Sequence, residues 1–168
     1  MTPMKIRLMV LDVDGVLTDG RLYYTDQGET LKAFHVHDGL GIKVAQANGI
    51  DIAVISARDS GPLVKRLDDL GVKHRYLGCK DKQQAFRELL QAVQVPAEEV
   101  AYVGDDVIDL GVMRQVGFPI AVNNAQGMVK AIARHRTQLN GGEGAVREAI
   151  DFILRQQMGL EKAYRNFM

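Results

Sequence analysis

Short, nearly continuous apolar runs recur along the chain, and each stops on small or acidic residues. Ile6 to Leu11 ends in Asp12 and Asp14, Ile52 to Ile55 ends at Ser56, and Val100 to Val103 ends at Gly104, Asp105 and Asp106. Ile120 to Val122 is a shorter case and Val72 to Leu77 a weaker one. Runs of this length without polar alternation predict strands buried on both faces. Amphipathic stretches lie between them: Leu40 to Asn48 closed by Gly49, Pro62 to Leu70 closed by Gly71, Lys82 to Val93, and Ile108 to Val116 closed by Gly117. Glycine just past the last periodic position is a common helix stop. The alternation predicts an α/β fold, a Rossmann-like doubly wound parallel sheet with helices on both faces. Such sheets gather ligands beyond the carboxyl ends of their strands. Asp12, Asp14, Ser56, Asp105 and Asp106 all fall at those ends.

One segment, about 21–36, breaks the alternation. Leu22 to Thr25 and Glu29 to Val36, joined by Asp26-Gln27-Gly28, predict a projecting β-hairpin. Its longer arm puts Leu31 and Ala33 on one face and Phe34 and Val36 on the other. A hairpin apolar on both faces is expected to pack against another subunit. No repeat, linker or low-complexity tract interrupts the chain, so residues 1–168 are expected to form one domain. The polar stretch from about 159 to 168 is expected to be a flexible tail.

Composition changes this picture mainly by exclusion. Lysine plus arginine total 21 and aspartate plus glutamate total 21, a formal net charge of zero. That balance argues against nucleic acid or an anionic membrane as partner, since both are held by basic excess. The longest apolar run, Leu8 to Leu11, is far short of the roughly 20 residues a bilayer span needs. A single cysteine, Cys79, forbids an internal disulfide, and the first residues lack a signal-peptide pattern, so a cytoplasmic location is expected.

The acids are not evenly spread. Asp12 and Asp14, two residues apart at a strand end, project carboxylates into one small volume, where repulsion raises a pKa unless a cation intervenes. Gly104-Asp105-Asp106-Val107-Ile108-Asp109 repeats the theme at a second strand end and opens a helix. Carboxylates without a histidine or cysteine cluster suit a hard cation, Mg²⁺ above all. Alone, either set reads as turn or helix-start acids; both together at two strand ends point to a metal site. Ser56 and the backbone N–H groups that follow it, at Ala57 onward, suit phosphoryl oxygens. Lys82, at the start of a helix, is placed to neutralise an anion beside the metal.

The order Asp12-Val13-Asp14, Ser56, Lys82, then Gly104 to Asp109 resembles the four motifs of the haloacid dehalogenase superfamily, over essentially the whole chain. Asp12 to Gly20, Lys32-Ala33-Phe34 with Asp38-Gly39, and Gly144-Ala145-Val146-Arg147-Glu148 resemble its capless sugar-acid phosphate phosphatases more closely. The resemblance implies a Mg²⁺-dependent phosphatase. Asp12 is then the nucleophile and Asp14 the general acid/base, with the Asp12 side chain, the Asp14 carbonyl and Asp105 on the metal. Asp106 and Asp109 would support them. The substrate implied is a small-molecule sugar-acid phosphate, an eight-carbon 3-deoxy sugar acid ahead of the nine-carbon nonulosonates. No cap domain fits between the motifs, so the lid is expected from another subunit, and the resemblance implies a homotetramer.

Departures from the relatives bear on the sugar. Ser56-Ala57-Arg58 stands where they usually have Thr-Gly-Arg, keeping a hydroxyl and, in Arg58, a donor fork suited to a sugar carboxylate or phosphate. Glu143 replaces a frequent arginine, a feature shared with nonulosonate 9-phosphate phosphatases, while Arg58 favours the eight-carbon sugar. Arg147 is a candidate substrate contact from a neighbouring subunit. His35 and His37 would share one strand face, with no third metal ligand in view, and His74 and His135 read as isolated surface residues. A receiver-type signalling domain also combines clustered aspartates, a hydroxyl residue and a lysine. Receivers, however, carry the lysine after the hydroxyl residue and near the chain's end, whereas here Lys82 precedes Gly104-Asp105-Asp106.

Overall fold

A computed structural model describes residues 4–168. The elements run β1 (Leu8–Leu11), β2 (Tyr23–Thr25), β3 (Gly28–Leu31), α1 (Val36–Ala47), β4 (Asp51–Ile55), α2 (Gly61–Asp69), β5 (His74–Tyr76) and α3 (Lys82–Val93). They continue with β6 (Val100–Gly104), α4 (Leu110–Met113), β7 (Phe118–Ala121), α5 (Gly127–Ile132), β8 (His135–Arg136), α6 (Ala145–Gln157) and α7 (Leu160–Tyr164). Six strands form one sheet in the order β5-β4-β1-β6-β7-β8, every neighbouring pair parallel. The predicted doubly wound α/β architecture is therefore observed.

Topology fixes where the site must lie. The chain leaves β1 toward β4 and β5, then returns across the sheet to β6 and continues to β8. Because β-α-β crossovers are right-handed, this reversal puts α1 and α2 on one face and α3, α4 and α5 on the other. The crevice opens where the strand order reverses, at the carboxyl ends of β1 and β6. Those two strands, with β7, are buried along their whole length, as their unbroken apolar sequences require.

Local chemistry explains the helix ends. Ser60 caps α2 and Asp81 caps α3, each through its side-chain oxygen. Asp38, in the first turn of α1, accepts from the Arg147 backbone N–H at 2.8 Å and so caps the first turn of α6 from a neighbouring helix. The Asp38-Gly39 and Gly144-to-Glu148 segments, far apart in the sequence, thus meet across one helix pair.

Several expectations change. The long arm of the hairpin stops at Leu31, and Val36 instead opens α1, because His35 takes the cap position. Its Nδ1 accepts from the His37 N–H at 3.1 Å, so the two histidines form a helix start and do not share a strand face. Phe34 turns back onto the core. His135 is not an isolated surface residue: it lies on the edge strand β8 and stacks on Phe152, with centroids 4.0 Å apart. His74 is half-buried in β5. The stretch after Gly159 forms α7, with Ala163 buried, its carbonyl accepting from Asn48 Nδ2 at 3.0 Å, and the Tyr164 hydroxyl donating to Asp151 at 2.5 Å. Leu160, Ala163 and Tyr164 supply the apolar face that composition alone concealed. Among the described residues no helix is long and apolar enough to cross a membrane.

Phe86 of α3 is fully buried and helps hold that helix, with Lys82 at its start, against the sheet. Phe86→Ala is expected to lower the unfolding free energy by about 3–5 kcal/mol. Urea denaturation checks this as a lower midpoint at unchanged slope; a loss below about 1 kcal/mol would contradict the packing.

Candidate active site

The residues singled out at the strand ends meet in one cleft. Asp12, Asp14, Ser56, Ala57, Arg58, Asp105 and Asp106 line a pocket of about 140 Å³ that ends on Ile108. Asp12 follows β1 and Asp105 follows β6, adjacent parallel strands, so in-register pairing of Leu11 with Val103 delivers the two carboxylates side by side. A hydrogen bond from the Asp12 N–H to the Val103 carbonyl at 3.2 Å extends the ladder to the site itself.

Close approach of these acids requires a glycine between them. Gly15 has φ +89°, and a Cβ there would lie 1.9 Å from Asp105 Oδ2. Behind it, a Cβ on Gly141 would lie 1.7 Å from the Gly15 carbonyl oxygen, and the Gly142 N–H donates to the Val16 carbonyl at 3.0 Å. The Gly-Gly-Glu-Gly turn therefore braces the loop after β1. Thr18 Oγ1 completes that loop by accepting from the N–H groups of Gly15 and Gly20 at 3.3 and 3.2 Å.

The electrostatics are those of crowded, buried acids. Asp12 is pushed up to about 6, first by burial and then by the Asp109 carboxylate, with Lys82 opposing. Asp105 is pushed up to about 8 by burial and by Asp12 beside it. Asp12, Asp105 and Asp109 each bring a carboxylate oxygen within 4.8 Å of the others. Three carboxylates so close need positive charge. Lys82 supplies one: its buried ammonium donates to Asp12 Oδ1 at 2.7 Å, to Asp109 Oδ1 at 2.9 Å and to the Tyr102 hydroxyl at 3.4 Å, using all three protons. Burial alone would lower the lysine's pKa; Asp12 and Asp109 outweigh it and raise it.

Asp109 has no oxygen to spare. Its Oδ2 accepts from the N–H groups of Asp105 and Asp106 at 3.0 and 3.2 Å, and its Oδ1 takes Lys82 and the Tyr102 hydroxyl, the latter at 2.5 Å. It holds the loop after β6 in place, which leaves Asp12 and Asp105 as the carboxylates free to meet a cation. An all-oxygen donor set at a desolvated, repelling pair fits a hard divalent ion. Asp106, more exposed, caps the 3₁₀ turn Val107–Asp109 by accepting from the Val107 N–H at 2.7 Å.

Of the phosphate-binding candidates, Lys82 sits among the acids, and Ser56 and Ala57 line the same pocket as Asp12 and Asp105. Ser56 is buried at the end of β4, with its N–H donated to the Tyr76 carbonyl and its carbonyl accepting from Cys79. Its Oγ accepts from the Arg58 N–H at 3.2 Å, which shapes the turn around Ala57. Arg58 is engaged by the hairpin: Nη2 donates to the Tyr24 hydroxyl at 2.6 Å and to Glu29 Oε2 at 2.9 Å. Arg147 is not brought to this cleft. It pairs with Asp151 at 3.1 Å, lies over the Tyr164 ring and lines a separate hollow with His37.

Sequence reading missed Lys32, Glu29, Tyr102 and Thr18. The Lys32 ammonium reaches Asp14 Oδ1 at 2.6 Å and Glu29 Oε1 at 2.7 Å. Tyr102 carried a usable signal, since a hydroxyl inside a buried apolar strand must find a partner. Lys32 carried only its place in the Lys32-Ala33-Phe34 run, which says nothing about burial.

Comparisons with known proteins agree with this geometry. A family model for haloacid dehalogenase-like hydrolases matches residues 78–150. The 3-deoxy-D-manno-octulosonate 8-phosphate phosphatase of Yersinia pestis is 48% identical over 158 residues, covering 94% of this chain and 84% of that protein. The enzyme of the same name from Escherichia coli K12 is 45% identical over the same extent. The crystal structure of the Yersinia pestis enzyme aligns with TM-score 0.91 at 47% identity, over 94% of this chain and 85% of that one. The enzyme from Moraxella catarrhalis, solved with magnesium, phosphate and KDO, aligns with TM-score 0.92 at 37% identity, over 97% and 94%. With acids at the ends of β1 and β6, a buried lysine joining them and relatives of this identity across nearly its whole length, the chain belongs to the haloacid dehalogenase superfamily and is a phosphatase.

Proposed function

We propose that the chain hydrolyses 3-deoxy-D-manno-octulosonate 8-phosphate to the free sugar acid and inorganic phosphate, through an aspartyl-phosphate on Asp12 and with Mg²⁺ as cofactor. The observation that carries the proposal is the desolvated Asp12–Asp105 pair beside Lys82, in a chain whose relative from Moraxella catarrhalis binds magnesium, phosphate and KDO. The free sugar acid would serve lipopolysaccharide synthesis, in the cytoplasm.

Asp12, the Asp14 carbonyl and Asp105 would hold the ion. When bound, Mg²⁺ neutralises charge on the transferring group, so that an anionic nucleophile can approach a phosphate dianion. Lys82 keeps Asp12 aimed and adds a positive charge beside it. A carboxylate oxygen of Asp12 bonds to phosphorus as the bond from phosphorus to the sugar oxygen breaks, and that oxygen takes a proton from the Asp14 carboxyl. Asp14, now ionised, takes a proton from the water that attacks the phosphoryl group, and Asp12 is freed. Ser56 and the N–H of Ala57 would hold phosphoryl oxygens meanwhile.

Arg58 would meet the sugar carboxylate, exchanging Glu29 for it, and the relatives named for the eight-carbon substrate support that sugar over a nonulosonate. Leu22, Tyr23, Tyr24, Leu31 and Val36 are exposed together on the hairpin and the start of α1. That apolar surface supports the homotetramer, with neighbouring subunits closing the open cleft and offering Arg147 to it.

Asp12→Asn is expected to abolish turnover while keeping the circular dichroism spectrum of the parent; retained hydrolysis would sink the nucleophile assignment. In a phosphate-release panel, 3-deoxy-D-manno-octulosonate 8-phosphate should give the highest kcat/KM, and chelation with EDTA should remove activity that added Mg²⁺ restores. Preference for a nonulosonate 9-phosphate would overturn the substrate and spare the mechanism. Light scattering at micromolar concentration should report a tetramer, and Leu31→Glu should dissociate it; a monomeric parent would refute the assembly.

A further inference from the structure

We propose that Lys32 is a positioning residue for Asp14: it holds one carboxylate oxygen and thereby presents the other to the leaving group. The proposal rests on the reading of Asp14 as proton donor and acceptor. A lysine on a surface hairpin ordinarily keeps its ammonium in water and lays only its stem on the protein. Lys32 does the reverse. Its side chain is 3% exposed, with Nζ 2.6 Å from Asp14 Oδ1 and 2.7 Å from Glu29 Oε1. Glu29 is itself 8% exposed, and its other oxygen takes Arg58 at 2.9 Å. Tyr24, from the opposite strand of the hairpin, accepts from the same guanidinium at 2.6 Å. Hairpin and cleft are thus joined by a chain of charges running Asp14, Lys32, Glu29, Arg58.

Buried ion pairs are weak devices for stability, because desolvation cancels much of their attraction; their better-attested use is to fix one arrangement among several. Here the fixed object is the Asp14 carboxylate. The Asp14 side chain is 21% exposed, and no hydrogen bond other than that from Lys32 reaches it among the described residues. Arg58 Nε stands 3.7 Å from Oδ2, beyond hydrogen-bond range, and has no other partner. Oδ1 is therefore occupied and Oδ2 accepts no hydrogen bond, in a residue that lines the cleft together with Asp12. In the reaction the proton leaves Oδ2 for the sugar oxygen as its bond to phosphorus breaks, and Oδ2 later receives a proton from water. Lys32 keeps its own protons throughout. Without it the Asp14 side chain is free to rotate, and a small misplacement of a proton donor costs much of its effect.

The leaving group distinguishes positioning from mere structure. A sugar oxygen must be protonated to depart, whereas nitrophenolate departs without a proton. Lys32→Met is expected to lower kcat for 3-deoxy-D-manno-octulosonate 8-phosphate by roughly 100-fold, inside the range attributed to general acid–base groups. KM should hold, and in the first turnover, before the water step that also uses Asp14, release of the sugar should fall as far while release of nitrophenolate from p-nitrophenyl phosphate changes by less than about threefold. Lys32→Gln, expected to show the same selective loss, replaces the methionine variant if that one does not fold. Asp14→Asn is measured alongside. A selective loss in Asp14→Asn with an equal fall on both substrates, or no fall, in the lysine variant overturns the proposal alone. An unselective Asp14→Asn overturns the reading of Asp14 and the proposal with it.

Discussion

A buried and a half-buried carboxylate that repel each other govern this molecule. Asp12 and Asp105 stand at the ends of adjacent parallel strands, desolvated and pressed together, and almost every unusual local feature serves to keep them so. Gly15 has no side chain because Asp105 occupies that space. Gly141 has none because the Gly15 carbonyl occupies its space in turn. Lys82 is buried at a helix start, a costly position for an ammonium, because two acids need its charge. Asp109 spends both oxygens on four donors to fix the loop that carries Asp105. An arrangement that raises two acids so far above the ordinary carboxylate range is poor design for a fold alone. It makes sense as a receptor for positive charge.

The hairpin is the second half of the same design. Its inner side carries Glu29 and Lys32 to Asp14 and Arg58, while its outer side displays tyrosine and leucine to solvent. Contacts to the cleft and an exposed apolar surface therefore share one small element, the hairpin from Tyr23 to Leu31 with Lys32 just after it.

The strands were legible because a buried parallel strand leaves an unbroken apolar run, and the acids at their ends were legible because nothing apolar follows. Asp12, Asp14, Ser56, Asp105 and Asp106 could be placed at one rim from those two facts. What escaped was everything that depends on three-dimensional proximity. His35 and His37 look like an alternating strand pair, yet a side-chain nitrogen that can cap turns them into a helix start. The tail after Gly159 looks polar, yet three residues at helical spacing suffice to dock it. Lys32 looks like any charged residue on a hairpin. Its burial follows from Asp14 and Glu29 lying where a lysine stem can reach, and no linear pattern encodes that.

The two segments whose resemblance to sugar-acid phosphatases was closest outside the motifs have structural work in this chain. Asp38 caps α6 through the Arg147 N–H, and a Cβ on Gly41, three residues on, would come within 3.0 Å of the Arg147 side chain. The glycines at 141 and 142 brace the loop after β1, and Glu143 between Gly142 and Gly144 is exposed with no side-chain partner among the described residues. Arg58, by contrast, lines the cleft and is held there by the Tyr24 hydroxyl and the Glu29 carboxylate, so the two departures from the relatives stand in opposite surroundings.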